Sequence, residues 1–497
     1  HISHVRIYGN DRLYEEVVRR ELRTKPGDLF SKDALMRSAR EIQSMGFFDP
    51  EKVNPDIQPN YEDGTVDINW PLEQKSNDQV EFSLGWGQTG VIGRISLKLN
   101  NFSMRNLFGK NKMHRGIMPI GDGEQLALSA QTNGSYYQSY SISYSSPWFG
   151  GRRPNAFNVG AYYSKQTDIN SSYYNSSWMN SMYNYYGGYG SYNNYNNNYE
   201  SYLDDDKYVQ LFGLSVGWGK RLRWPDDYFQ LSVSLSYQRY MLRDWQYFII
   251  SNGNCNNINL GITLARTSTD NQMFPRRGSE FMASVTLTPP WSKFDNKDYS
   301  KLATDRTSAT YEQEQQEKYR WIEYHKWKFK ARTFTALTSG QKCFVLMSRV
   351  EFGILGSYNK DKKSPFENFY VGGDGMSGYS TGYAQETIGL RGYENGSLTP
   401  WSAPGYAYDR FTLELRYPFM LGNTTIYGLT FLEGGNAWYD TKKFNPFDMK
   451  RSAGVGVRIF LPMVGMMGID WAYGFDKALS TGTKGGSQFH FILGQEF

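Results

Sequence analysis

The sequence predicts a mainly β protein: a 16-stranded antiparallel transmembrane β-barrel preceded by one small α+β domain of order β-α-α-β-β. Three observations predict it. From Val80 onward, apolar residues recur at every second position, in segments many of which are ~9–11 residues, the length a tilted membrane strand requires. The connections between these segments alternate between short and long. Residues 1 to about 75 instead carry helical spacings between short strands. Aromatics make up 16% of the chain, led by 39 Tyr, and there are 50 Gly; that pairing fits β-structure with wet loops and aromatic belts better than a helical enzyme.

Composition excludes several classes. A hydrophobic content of 39% is low for a packed globular interior. A net charge of +5 is too mild to argue for a nucleic-acid partner. Cys255 and Cys343 form neither a CxxC nor a metal spacing. No apolar run approaches the ~20 residues of a membrane helix; the nearest, Ile459 to Ile469, is interrupted by Pro462, Gly465 and Gly468. There is no phosphate loop, metal spacing or Ser/His/Asp set, and His114, His325 and His490 lack companions, so neither an enzyme nor a cofactor is expected. His1 opens directly into strand-like "HVRIYG" with no signal peptide, which predicts a chain that is processed or begins partway through a longer one.

The small domain is assigned to residues 1–76. A strand over Val5 to Tyr8 precedes a helix for which Asn10 is a cap candidate, with Leu13, Val17 and Val18 on one side. Ser31 caps a second helix carrying Leu35, Ala39 and Ile42, and Gly46 is placed to stop it. Two strands follow around the turn "YEDG". Its helices are short of the His, Cys and paired acids that could do chemistry, and the domain reads as a binding or scaffold module.

The barrel is assigned to residues 80–497. Its segments start near Val80, Val91, Glu124, Tyr136, Asn155, Tyr208, Phe229 and Asn257. The other eight start near Ser279, Ile322, Cys343, Phe411, Thr425, Ser452, Val464 and Ser487. In "RFTLELRYPF", Phe411, Leu413, Leu415 and Tyr417 oppose Thr412, Glu414 and Arg416. In "AGVGVRIF", Ala453, Val455, Val457 and Ile459 oppose Gly454, Gly456 and Arg458. Connections after even-numbered segments are mostly short, and long loops at 166–206, 289–320 and 357–408 follow odd-numbered ones. Outer-membrane barrels have that asymmetry; a soluble sandwich has no reason for it. The first connection (short) and the second (long) break the rule. The stretch 171–200 is low-complexity Tyr, Asn, Ser and Gly and suits an outer surface. "YEQEQQEKYRWIEYHKWKFK" is expected to lead into a long tenth strand that stands clear of the membrane.

A β-α-α-β-β domain feeding such a barrel resembles the BamA superfamily of outer-membrane barrel-assembly proteins, the small domain being similar to a POTRA repeat. The motifs that agree are "NLFGKNK", "SSPWFGG", "WPDDYF", "DNQMFPRRGSEF" and, most specifically, "GLRGYENGS" (Gly389 to Ser397). In the last, Leu390, Arg391, Gly392 and Tyr393 match a Val-Arg-Gly-Phe/Tyr signature on a loop that folds back into the barrel lumen. The resemblance implies that Arg391 pairs with acids on the inner wall, at the matching positions Glu414 and Glu433. Glycines flank Arg391 and allow a tight backbone, and its planar fork suits carboxylates. Glu414 lies on the polar face by parity. Glu433 shares parity with Tyr427, Leu429 and Phe431, which a bulge at Gly434–Gly435 would reconcile.

The chain ends on an alternating strand whose Phe489, Phe491, Leu493 and Phe497 match the terminal β-signal of the family and its substrates. The first strand carries Val80, Phe82, Leu84 and Trp86 toward lipid, with Gly85 and Gly87 on the other face weakening it. The resemblance implies a lateral gate between first and last strands, and an insertase that folds and inserts β-barrel proteins. Its implied partners are unfolded outer-membrane β-barrel substrates, accessory lipoproteins, periplasmic chaperones and the lipid bilayer, with no nucleic acid. The implied location is the outer membrane of a diderm bacterium, the POTRA-like domain in the periplasm and the long loops at the cell surface. The alternatives are a protein-secretion translocator of the same superfamily, a TamA-like assembly factor and a passive porin.

Overall fold

The computed structural model describes residues 1–49, 52–75, 78–87, 90–108, 118–134, 136–151, 154–169, 203–245, 250–271, 273–373, 386–400, 402–422, 424–461 and 465–493. The chain divides into two compact units, residues 1–205 and 206–497. In the first, β1 (Ile2–Tyr8), β2 (Asp56–Asn60) and β3 (Thr65–Pro71) form a sheet of order β1-β3-β2, with β1 parallel and β2 antiparallel to β3. Two helices, Glu15–Arg19 and Lys32–Ser44, complete the predicted β-α-α-β-β order. Their apolar stripes meet the sheet in one core of Val5, Val17, Leu35, Ile42, Ile68 and Trp70.

Ser31 caps the second helix, its hydroxyl accepting the Ala34 N–H, and Gly46 (φ +74°) ends it. The first helix departs from expectation. It starts at Glu15, not after Asn10. Asn10 instead closes the preceding turn, its carbonyl accepting the Leu13 N–H at 3.0 Å and its side chain donating to the Leu13 carbonyl at 3.2 Å. The N-cap position falls to Tyr14, whose side chain makes no capping bond, so Asn10 takes no part in the cap.

The first unit also holds β4 (Gln79–Gly87), β5 (Gly90–Phe102), β6 (Glu124–Asn133), β7 (Tyr137–Ser146) and β8 (Asn155–Ile169), paired antiparallel in chain order. The long second connection packs on the small domain. Tyr14 donates from its hydroxyl to Asn106 at 3.0 Å and from its N–H to the Gly121 carbonyl at 2.9 Å. Asn101 donates to the Arg12 carbonyl at 2.6 Å. The fourth connection does the same: the Trp148 indole donates to Glu21 and lies 5.3 Å beneath the Arg20 guanidinium. These contacts use the "SSPWFGG" motif and Asn106, which opens "NLFGKNK"; the rest of that motif from residue 109 lies outside the described residues.

The second unit carries β9 (Leu203–Arg221), β10 (Phe229–Arg243), β11 (Gly253–Thr267), β12 (Gly278–Leu287), β13 (His325–Ala336) and β14 (Val345–Gly356). After two short inner strands, β15 (Phe369–Val371) and β16 (Glu386–Ile388), come β17 (Ala407–Met420), β18 (Thr425–Trp438), β19 (Lys450–Leu461), β20 (Gly465–Lys477) and β21 (Lys484–Leu493). From β9 to β21 the long strands pair antiparallel in chain order, β14 lying beside β17. The first unit holds five long strands after β3 and the second eleven, together the sixteen that the sequence predicts.

One element differs. "YEQEQQEKY" is a helix, Tyr311–Tyr319, and the tenth long strand begins only at His325, with 12 residues. Gln, Glu and Lys are good helix formers, and the helix buries Gln315 and Tyr319 against the loop beneath it. "DNQMFPRRG" is a capped turn. Asp270 accepts the N–H groups of Arg276 (2.8 Å) and Arg277 (3.1 Å). Phe274 tucks beneath it onto Tyr427, ring centroids 5.2 Å apart, in a cluster with Phe334, Val345 and Met347.

The cap yields a prediction. Ser31→Ala removes about 1 kcal/mol from the second helix. Hydrogen exchange of amides in the helix Lys32–Ser44 should then accelerate roughly fivefold, while β14 amides stay unchanged.

Candidate functional site

Alternation builds the site. On β17, Thr412, Glu414 and Arg416 are buried while Leu413 and Leu415 are exposed. On β18, Tyr427, Leu429, Phe431 and Glu433 are buried and Leu432 is 61% exposed. On β19 and β20, Arg458, Asp470 and Ala472 face inward; Val455, Val457, Ile469 and Trp471 face out. The register then sets Thr412 beside Glu433, Glu414 beside Phe431 and Gly456 beside Asp470, so three acids on three strands surround one spot.

Arg391 occupies that spot with none of its side chain exposed. Its Nη2 donates to Glu414 at 2.8 Å, its Nε to Glu433 at 3.0 Å and its Nη1 to Asp470 at 3.0 Å. Its backbone N–H donates to Glu433 at 2.9 Å. The guanidinium carbon lies 3.5 Å from the centre of the Phe431 ring. Each acid also holds a wall arginine: Arg416 on Glu414, Arg410 on Glu433 and Arg458 on Asp470, with closest separations of 2.7, 2.6 and 2.6 Å. Thr412 adds a hydroxyl donor to Glu433 at 2.9 Å. Buried ions are tolerated only when paired and hydrogen-bonded, and here every carboxylate is shared by two cations.

The neighbours of Arg391 are held too. The Gly392 N–H donates to Nε2 of His490 at 2.9 Å, so that ring nitrogen carries no proton. Gly392 has φ +88°, and a Cβ there would sit 2.8 Å from the Ser452 Cβ and 2.9 Å from the Gly474 nitrogen. Tyr393 donates its hydroxyl to the Arg451 carbonyl at 2.7 Å and is fully buried. Leu390 is buried and exchanges backbone hydrogen bonds with Gly373. Farther along the loop, β15 and β16 pair in parallel. Lys326 and Lys328 of β13 reach Glu386 at 2.8 and 2.7 Å, and Lys326 stands 3.5 Å from Glu367.

The structure thus brings Leu390, Arg391, Gly392, Tyr393, Glu414 and Glu433 together. Two expectations are corrected. Glu433 needs no bulge, because the β18 pairings run regularly through Gly434 and Gly435 and Tyr427, Leu429 and Phe431 face inward with it. Gly389 has no positive φ; only Gly392 of the two glycines does. Parity sets Arg416 and Arg458 on polar faces without linking them to Arg391, His490 reads as lacking companions although it accepts the Gly392 N–H, and Asp470 and Arg410 carry no assignment from sequence. Parity places Asp470 on one face with Gly468, Ala472 and Gly474, which was the available signal.

The predicted gate strands are β4 and β21. Val80 is exposed, and the β4 backbone pairs Gly85 with Ile92 and Gly87 with Gly90. The side chains of Phe82, Leu84 and Trp86 lie outside the described residues. Phe489 and Phe491 are exposed and pair with Trp471 and Ile469. Leu493 pairs by backbone with Met467, and Phe497 lies outside the described residues, as do the loop 171–200 and His114.

An antiparallel sheet with apolar residues outside and a charged inner face closed over by a buried loop, in a chain that also carries a β-α-α-β-β domain, is the pattern of an outer-membrane β-barrel protein. Among the described residues no helix is long and apolar enough to cross a membrane. Residues 120–497 match the Omp85 superfamily domain, and residues 1–73 match the POTRA model described as a surface antigen variable number repeat. The chain belongs to the Omp85 superfamily and is a BamA-like member of it.

It is 24% identical to the outer membrane protein assembly factor BamA of Neisseria meningitidis serogroup B over 441 residues, 84% of this chain and 42% of that protein. It is 31% identical to a putative outer membrane protein assembly factor of Treponema pallidum over 150 residues, 30% of this chain and 16% of that protein. The chain therefore spans less than half the length of these relatives. In fold it resembles BamA of Haemophilus ducreyi lacking POTRA domains 1–3 (TM-score 0.52, 18% identity, covering 99% of this chain and 83% of that one). It resembles CdiB of Escherichia coli similarly (TM-score 0.54, 12% identity, 99% and 75%).

Arg391→Ala leaves three wall acids each with one arginine, and an empty space over Phe431. Each charge-assisted hydrogen bond lost is worth about 1.5–3 kcal/mol. The segment 386–400 should become accessible to protease in the intact protein. Gly392→Ala should do the same through sterics alone, with every charge retained. Unchanged protection in both variants would refute the clasp.

Proposed function

We propose that the chain is an insertase that catalyses folding and insertion of β-barrel proteins into the outer membrane. The observation that carries the reading is the buried Arg391 clasp within an Omp85 sheet that follows a POTRA domain. A passive porin has no use for an inner face closed by a loop on a six-charge wall.

The mechanism follows from backbone chemistry. A strand entering lipid carries unpaired N–H and C=O groups, each costing several kcal/mol. A sheet edge offered at the seam of first and last strands satisfies them by β-augmentation. Gly85 and Gly87 weaken β4 and favour release of that edge. The Arg391 clasp braces β17, β18 and β20, while the edge opens. No covalent step is involved, and the free energy comes from folding of the substrate. In this reading the POTRA domain lies in the periplasm, where it meets chaperones, accessory lipoproteins and unfolded substrates, and the long loops lie at the cell surface. A secretion translocator is the second reading, because the fold is shared with CdiB as well as with BamA.

A disulfide engineered between Leu84 and the last strand is the test. Assembly of a β-barrel substrate in proteoliposomes should fall to the uncatalysed level in the oxidised protein and recover with reductant. Undiminished assembly by the locked protein would sink the insertase. Loss of one secreted client alone on depletion, with other outer-membrane barrels intact, would favour the translocator.

A further inference from the structure

The connection between β12 and β13 folds into a small module rather than a floppy loop. The Ser292 N–H and hydroxyl donate to the buried Glu323 at 2.7 and 2.6 Å. Gln316 donates to the Asn254 carbonyl at 2.8 Å, fastening the helix Tyr311–Tyr319 to the end of β11. Gln315 donates to the Ala303 carbonyl at 3.1 Å, and Glu314 accepts the Ala303 N–H at 2.6 Å.

Two adjoining cavities lie on this module, sharing Glu317 and Arg320 as their common border. One, of about 310 Å³, is walled by Trp291, Phe294 and Trp321. The two indoles lie 4.8 Å apart at 38°, and Phe294 is 67% exposed at the rim. The other, of about 700 Å³, is polar and lined by Asn254, Asn256, Gln313 and Arg239. Both fall within the roughly 300–1,000 Å³ of small-molecule sites.

The charges in the groove are uneven. Lys297 is paired with Glu317, and Asp295 accepts the Tyr299 hydroxyl. Arg320 and Arg239 form no ion pair among the described residues, and Lys362 is within the field of Glu323 and Asp295 but forms no direct ion pair with either. Lys362 is only 3% exposed, yet its ammonium has no hydrogen bond to a described residue and rests 4.8 Å from the centre of the Tyr299 ring. Burial, opposed by Glu323 and Asp295, holds its pKa below the ordinary lysine value. Its nitrogen is not among the sealed side-chain atoms that lack a hydrogen bond, so it keeps access to the groove, where an anion can reach it.

We propose that this groove binds an acidic oligosaccharide, with sugar rings on the Trp291–Trp321 wall and the anionic groups on Lys362, Arg320 and Arg239. A pyranose has an apolar C–H face and a rim of hydroxyls. Aromatic faces pack against the first, and amides and guanidinium groups bond the second. The groove offers both in sequence, aromatic wall first and amide lining next, across the Arg320 border. The excess of unpaired cations selects a carboxylate or phosphate on the chain. The source of the glycan, in the outer leaflet or free outside the cell, rests on the proposed orientation. The binding itself does not, so an insertase failure and a failure of this site are separable.

Calorimetry on the full chain in nanodiscs tests it, with tetragalacturonate as the probe, and maltotetraose and tetraglutamate as controls. Tetragalacturonate should bind saturably, and maltotetraose about tenfold more weakly or not at all. Lys362→Met and Arg320→Gln should each weaken binding about tenfold while the barrel keeps its heat-modifiable mobility. Trp321→Ala should abolish it. No heat with tetragalacturonate, equal binding of tetraglutamate, or full affinity in Lys362→Met would overturn the site. Nanodiscs containing an acidic glycolipid separate the two sources. Suppressed probe binding there assigns the groove to a membrane glycan; undiminished binding assigns it to a free polysaccharide.

Discussion

The loop that closes the inner face of the second unit is held by one buried guanidinium. Arg391 is surrounded by Glu414, Glu433 and Asp470, and each of those acids is already held by a wall arginine. Three wall acids and three wall arginines balance; the loop brings a fourth cation. This makes the two partners unequal. Withdrawal of the loop leaves a neutral wall whose pairs remain intact. Loss of any wall acid instead leaves two arginines facing each other in a buried site. The wall is therefore built to persist without the loop, whereas the loop has no comparable place to put its charge.

Sterics add to the electrostatics. Gly474 and Gly485 leave room for the Gly392 carbonyl, and a Cβ on either would strike it. Gly456 leaves the same kind of room for Asp470. The loop is also tied a second time, by Lys326 and Lys328 on Glu386. Glu386 and Arg391 are five residues apart, a span of at most about 18 Å. A segment that short, ionised at both ends and held on β13 at one and on β17, β18 and β20 at the other, is a strap across the inner face. That is a more definite object than a loop that enters a lumen.

Much of this was legible in the sequence because a membrane sheet writes its two faces in alternate letters. Sixteen strand starts fall within a few residues of expectation, and parity alone put Glu414 with Thr412 and Arg416. Parity failed at Glu433 for an instructive reason. Tyr427, Leu429 and Phe431 look like lipid-facing residues, but they line an inner face where Phe274 and Arg391 need apolar and aromatic neighbours. Asp470 and its arginine were missed because cross-strand register, not pattern, brings them to Arg391. The helix Tyr311–Tyr319 was missed because its charges run around it without an apolar stripe, so only contact with the module beneath settles it.

The exposed residues explain why such a clasp is needed. Leu413, Leu432, Val455, Ile469 and Phe489 point away from the inner face and are 49% exposed or more, the reverse of a soluble sheet. Lipid satisfies that outer surface, so apolar burial on the outside contributes nothing to ordering the inside. The inner face must be ordered by directional contacts, and directional contacts between buried groups are strongest when ionic and hydrogen-bonded. An arginine suits this better than a lysine, because its planar fork serves three carboxylates at once where an ammonium acts as a point charge. The apolar exterior and the ionic interior are thus one consequence of the same alternation, and the family motif sits where the second of them is densest.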